Sequence, residues 1–130
     1  MNIMKVVVTG AEGQLGLQFK SVVKKSKNWK FLNYHELDIT KIDKVLSYFS
    51  VFSPDVLINC AAYTNVDEAE NVSEMAFEVN HKGVKNLLLA CDYFNIRFIH
   101  FSTDYIYDGY KSSPYLETDL PNPINLYGMF

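Results

Sequence analysis

Apolar residues along this chain fall into short continuous runs separated by stripes spaced three or four residues apart, and each pattern predicts an element. Ile3 to Val8 is apolar apart from Lys5, as in a strand covered on both faces of a parallel sheet. After a glycine turn, Leu15, Phe19, Val22 and Val23 recur at helical spacing. That stripe should face the sheet while Lys20, Lys24 and Lys25 face water. Trp29–Leu32 predicts a second strand, and Leu37–Thr40 a short extended piece whose Thr40 can cap the next helix. Ile42, Val45, Leu46 and Phe49 mark that helix, which Pro54 prevents from continuing. Asp55–Ala62 begins another buried strand. A long helix from about Ser73 to Phe94 should turn Phe77, Val84, Leu87, Leu88 and Cys91 inward. Arg97–Ser102 supplies the last strand, and the residues beyond Asp108 form a loop rich in Pro, Asn and Ser.

Alternation of this kind demands an α/β doubly wound parallel sheet, because right-handed crossovers place helices on both faces. With 130 residues, 48% of them apolar and 21% charged, one globular domain over residues 1–130 is expected, without repeats or linkers. A net charge of -3, without a single-sign block, argues against a nucleic-acid partner. The opening segment, Met1 and Asn2 included, is too short to span a bilayer and lacks a cleavage pattern, so a cytoplasmic protein without a membrane partner is expected. Cys60 and Cys91 lie in apolar runs as free thiols, and His35, His81 and His100 are scattered. No metal site is expected.

Thr9-Gly10-Ala11-Glu12-Gly13-Gln14-Leu15-Gly16 lies between the first strand and first helix, where a dinucleotide's pyrophosphate meets backbone N–H groups and a positive helix end. Gly10 permits the tight turn, Gly13 lets backbone approach phosphate, and Gly16 lets the helix pack on the strand. The Gly-x-x-Gly-x-x-Gly spacing resembles the extended branch of the short-chain dehydrogenases. At the end of the second strand, where an acidic residue favours NADH and an arginine NADPH, stand Asn33, Tyr34 and His35. The cofactor is therefore NADPH or NADH, with preference open.

Ser102-Thr103-Asp104-Tyr105 follows the last strand at the carboxyl edge of the sheet, where open α/β folds bind ligands. Tyr127 begins a Tyr-x-x-x motif, and in the short-chain dehydrogenases a lysine four residues on shares the helix face. A tyrosine without such a cation is a poor acid at neutral pH. The runs Pro54–Glu70, Val79–Gly83, Ser102–Gly109 and Pro114–Asp119, with Tyr127, resemble the dTDP-4-dehydrorhamnose reductases of that extended branch over essentially the whole chain.

The resemblance implies roles for particular residues. Gly13, Gln14 and Leu15 contact the pyrophosphate, while Asp38, Ile39, Ala61, Ala62, Tyr63 and Phe101 line the cofactor. Thr103 holds the substrate carbonyl, Asp104 is a further substrate contact, and Tyr127 donates the proton. Asn80 holds a proton-relay water. The implied reaction reduces dTDP-4-dehydro-L-rhamnose, a nucleotide sugar, to dTDP-L-rhamnose, with a homodimer left open. A sugar-selective carboxy-terminal domain is expected beyond Phe130, opening with the motif's lysine, so the 130-residue chain is expected to be an inactive fragment. Two rival readings share the pattern: a non-catalytic relative such as the regulatory subunit of methionine adenosyltransferase, and another extended-branch epimerase or dehydratase. Asp67, Glu68 and Glu70 read as complements to a helix amino terminus. The aromatics Tyr105, Tyr107, Tyr110 and Tyr115 either shape a sugar pocket or pack the loop.

Overall fold

A computed structural model describes residues 3–23, 26–71 and 73–130. Met1, Asn2, Lys24 and Lys25, for which expectations were stated above, lie outside these residues. Four parallel strands, β1 (Val6–Thr9), β2 (Trp29–Leu32), β3 (Val56–Asn59) and β4 (Arg97–His100), form one sheet in the order β2-β1-β3-β4. Between them run α1 (Gln14–Val22) and α2 (Ile42–Phe52), then short α3 (Val66–Ala69). A continuous helical path follows, made of α4 (Ser73–Ala76), a π-helical segment Phe77–Gly83 and α5 (Val84–Phe94). A 3₁₀ turn at Asp104–Ile106 and a closing turn α6 (Leu126–Met129) complete the fold.

The doubly wound expectation is met, with helices on both faces. The all-buried strands β1 and β3 sit centrally. Val7 and Leu57 point toward α2 and α5 and pack with Val45, Phe49, Leu87 and Cys91. Val6, Val8, Val56 and Ile58 point the other way, toward α1, where Phe19, Trp29 and Phe31 complete a smaller cluster. Strand β4 is an edge, and all its residues but Phe98 are exposed.

Several local expectations are corrected. Ile3 and Met4 are exposed, and the first strand starts at Val6, where pairing with β2 and β3 begins. Leu37–Thr40 is no strand: the Asp38 carboxylate accepts from both the Thr40 N–H (3.0 Å) and the Thr40 hydroxyl (2.7 Å), closing a side-chain turn. Thr40 does not cap α2, because the helix starts one residue later: Lys41 holds the cap position and makes no side-chain cap bond.

On α1 only Gly16 is fully buried, and of the expected stripe Phe19 is half-buried while Leu15 and Val22 are exposed, because α1 covers its sheet face alone. Leu88 is also exposed: it sits about 100° around the helix from Leu87, which fills the inward position. The last strand ends at His100, because the chain then leaves the sheet for the 3₁₀ turn, whose first amides Thr103 caps. The tail after Asp108 is irregular except for α6.

Candidate active site

The glycine turn is built as its sequence requires. Gly10 has φ +66°, and a Cβ there would meet the Ala61 nitrogen and Cys60 carbonyl at 2.5 Å, so neither the turn nor the approach of β3 tolerates a side chain. A Cβ on Gly16 would collide with the Gly10 carbonyl, which is how α1 packs so tightly on β1. Gly13 differs. Its φ of -74° suits any residue, and its nearest neighbour, the Gly10 oxygen, would lie at an ordinary 3.4 Å. The fold itself does not need a glycine at 13. Gly13 is the N-cap of α1, and no side chain caps that helix, so its first-turn amides, including those of Gln14, Leu15 and Gly16, are available to an anion.

Beside this turn a cleft runs over the carboxyl ends of β1, β2 and β3. Its wall includes Gly10, Gly13, Asp38, Ile39 and Ala61–Tyr63. Gln14 and Leu15 stand exposed beside it on α1, and Gly16 is buried beneath. Asp38 is thus both turn residue and wall residue. The π-helical segment brings Asn80 to the loop after β3, where its Oδ1 accepts the Tyr63 N–H (2.8 Å) and its Nδ2 donates to the Tyr63 carbonyl (3.0 Å). Both atoms of the amide are engaged, which fixes the wall at Tyr63. The Tyr63 hydroxyl donates to Glu68 (2.7 Å), and this bond holds the phenol above its ordinary value of 10, keeping it protonated.

A second cleft adjoins the first across Ala61 and Ala62 and gathers Asn80, His100, Phe101, Thr103 and Tyr127. Phe101 packs against Phe19 with ring centroids 6.2 Å apart. Thr103 caps the 3₁₀ turn, accepting the Tyr105 N–H at 3.2 Å, and its hydroxyl donates to the neighbouring Asp104 Oδ1 at 3.3 Å. Tyr127 sits on α6, its ring edge-on to Tyr105 at 5.6 Å. Three contacts seat that short turn. Asn125 accepts the Gly128 N–H (2.8 Å), Glu70 accepts the Leu126 N–H (2.8 Å), and Gly128 packs so closely on the Tyr105 carbonyl that no side chain would fit. Asp104 lies apart, in a pocket with Tyr105, Tyr107, Tyr115 and Asn125. The structure therefore brings Thr103 and Tyr127 to one wall and leaves Asp104 off it. Two hydroxyl-bearing residues on one cleft, once the Thr103 hydroxyl turns from Asp104 to a ligand, can polarise a carbonyl and protonate the oxygen formed from it.

Pattern reading gave no notice of a polar chain crossing the three adjacent strand ends. The Asn59 Oδ1 accepts the Thr9 hydroxyl (2.6 Å) and the Ala61 N–H (3.1 Å), which fixes its Nδ2 toward His100 Nδ1, 3.1 Å away. His100 must accept there, so its proton sits on Nε2 and the ring is neutral. Partial desolvation of the ring where it meets Asn59 lowers the His100 pKa from its ordinary 6.5, although the residue as a whole is exposed. The unfolded chain takes up this proton more readily, so stability is full above pH 6.5 and declines as pH falls through the window below it. Urea midpoints should drop between about pH 7 and 5, and His100→Gln should flatten that slope. A slope unchanged in the variant would remove His100 from this network. Asp108, held low first by the Tyr115 hydroxyl, and Asp119, held low first by Lys111, act only below their ordinary 3.8.

The acidic stretch is also absorbed into structure: Asp67 and Glu68 occupy the first turn of α3, and Glu70 reaches α6. Burial pushes Cys91 up to about 12 and raises Cys60, so neither is a ready nucleophile. No group of three or more metal-ligating side chains is found among the described residues, and no described helix is long and apolar enough to cross a membrane.

Residues 4–129 match the family described as RmlD substrate binding domain. The dTDP-4-dehydrorhamnose reductase of Aggregatibacter actinomycetemcomitans is 43% identical over 126 residues, covering 95% of this chain and 43% of that protein. A dTDP-4-keto-6-deoxy-D-glucose reductase of Streptomyces niveus is 37% identical over 123 residues, covering 94% of this chain and 43% of that protein. Among solved structures, a dTDP-4-dehydrorhamnose reductase from Bacillus anthracis in complex with NADP is 35% identical with a TM-score of 0.93, over 97% of this chain and 45% of that one. The chain spans less than half the length of these relatives.

Proposed function

Because the chain belongs to the RmlD substrate binding domain family, we propose that it is the dinucleotide-binding part of an NAD(P)H-dependent reductase acting on a nucleotide-linked 4-keto sugar. Within that class the proposed reaction is dTDP-4-dehydro-L-rhamnose to dTDP-L-rhamnose. The observation that carries the reading is Gly13, a glycine the fold does not need, at the head of an uncapped helix facing a cleft. Such a position is explained by an anion that must come close to backbone.

The residues present fit a dinucleotide. The first-turn amides of α1 would receive its pyrophosphate, and Asp38, Ile39, Ala61, Ala62, Tyr63 and Phe101 would line it. When bound, the nicotinamide supplies hydride chemistry. In the adjoining cleft, Thr103 would donate to the substrate carbonyl and hold it in register, and Tyr127 would deliver a proton to the oxygen as it gains charge. Asn80 is proposed to act through the Tyr63 backbone it clamps, and to keep one lone pair of Oδ1 for a water. Asp104 is proposed only as an outer contact to substrate: it lines a separate pocket and reaches the cleft through the Thr103 hydroxyl it accepts.

The relatives named above are all reductases by name, so the rival readings of a non-catalytic subunit or an epimerase draw no support from them. The proposal includes a cytoplasmic location and assembly as a homodimer. Incubating the whole gene product with NADH or NADPH and dTDP-4-dehydro-L-rhamnose should consume cofactor in proportion to sugar. Cofactor left unconsumed with this sugar and with other 4-keto nucleotide sugars would reject the reductase reading.

A further inference from the structure

The end of β2 lacks the acidic residue that commonly reads the adenosine ribose, and the fold delivers a carboxylate there from elsewhere. Asn33 follows β2 directly. Its Oδ1 accepts the Glu36 N–H at 3.0 Å, which fixes the direction of its amide, and its Nδ2 donates to the Glu12 Oε1 at 2.8 Å. Glu12 comes from the glycine turn, 21 positions earlier in the chain. The pair stands on the wall of the first cleft together with Tyr34 and Asp38. Glu36 adds a further carboxylate next to the pair, accepting the Asn33 N–H at 2.9 Å. Among the described residues the wall of this cleft carries no Lys, Arg or His, and Lys41, next to wall residue Thr40, is not part of it.

A carboxylate at this corner accepts from a ribose 2′-hydroxyl, whereas a 2′-phosphate needs a cation. Resting on the dinucleotide reading above, we propose that Glu12, held by Asn33, is a specificity-determining residue that selects NADH over NADPH. Its free carboxylate oxygen takes the 2′-hydroxyl as donor, and its charge opposes a 2′-phosphate. The repulsion is that of like charges at an exposed site, which corresponds to a preference on the order of tenfold at low ionic strength, shrinking as salt screens it.

Calorimetric titration of the whole gene product with NADH and with NADPH, in the absence of sugar, reads this without any turnover. NADH should bind about tenfold tighter in low salt, with the ratio narrowing at high salt. Glu12→Gln, which keeps an acceptor for Asn33 but removes the charge, should recover NADPH affinity, and Glu12→Lys should reverse the preference. Circular dichroism and thermal unfolding confirm that each variant is folded. Binding of both dinucleotides with a ratio near one, or a ratio unmoved in Glu12→Gln and Glu12→Lys, overturns the inference while leaving the dinucleotide reading intact. Binding of neither to the folded chain overturns both.

Discussion

Replacing Tyr127 by phenylalanine in the whole gene product should lower turnover by about 10² to 10⁴-fold, the range that proton donation commonly supplies, while leaving cofactor affinity within about twofold. The phenyl ring preserves the edge-on contact with Tyr105 and the seat of α6 on Glu70, Asn125 and Gly128. Only the hydroxyl is lost. Thr103→Val should also slow turnover, through a carbonyl left without its donor, and the larger loss belongs to the residue that gives up the proton. Steady-state rates with the dehydro-sugar at saturating cofactor measure both. Turnover in Tyr127→Phe close to that of the parent would exclude this tyrosine as the acid.

The glycine turn yields the second large effect, and its three glycines should fail in different ways. Gly13→Val should fold, because φ is ordinary and the nearest atom to a Cβ is 3.4 Å away. It should nevertheless weaken dinucleotide binding on the order of 10²-fold or more, since the side chain stands between phosphate and two or more amides, each charge-assisted bond being worth about 1.5–3 kcal/mol. Gly10→Ala and Gly16→Ala should instead damage the fold. The first forces an alanine to φ +66° against the Cys60 carbonyl, and the second drives a methyl into the Gly10 carbonyl. Thermal unfolding with calorimetric titration separates the cases. Unchanged affinity in a folded Gly13→Val chain would show that the turn does not bind the phosphates.

Much of this architecture was legible in the amino-acid order, for a physical reason. Strands covered on both faces must be continuously apolar, so β1 and β3 announce themselves, and the glycine turn is recognisable because three separate steric demands fall at fixed spacing. What escaped reading depends on contacts distant in sequence or on competition between local bonds. Leu37 and Ile39 alternate as a strand would, and both are buried, yet the Asp38 side chain offers the backbone a turn that wins. Leu15 and Val22 have the spacing of a buried stripe, but burial requires a partner surface, and α1 has only the sheet beneath it.

The Thr9–Asn59–His100 chain follows from register, since Thr9 pairs with Asn59 and Asn59 with His100 across neighbouring strands. No single segment encodes it. Glu12 meeting Asn33 and Glu70 meeting Leu126 are of the same kind, as acidic residues whose partners are chosen by the fold. The sequence pattern did single out Thr103 and Tyr127 as candidates, and their shared cleft is a tertiary fact.

If, as proposed, this fold serves hydride transfer to a sugar carbonyl, the hydride itself can be traced from cofactor to product. The whole gene product would be supplied with NADH deuterated at the transferable position of nicotinamide C4, together with dTDP-4-dehydro-L-rhamnose, and the product sugar examined by mass spectrometry and NMR. One deuteron at sugar C4 is expected, matched by an equal amount of oxidised cofactor. Sugar recovered without label while the cofactor stays reduced would contradict hydride transfer.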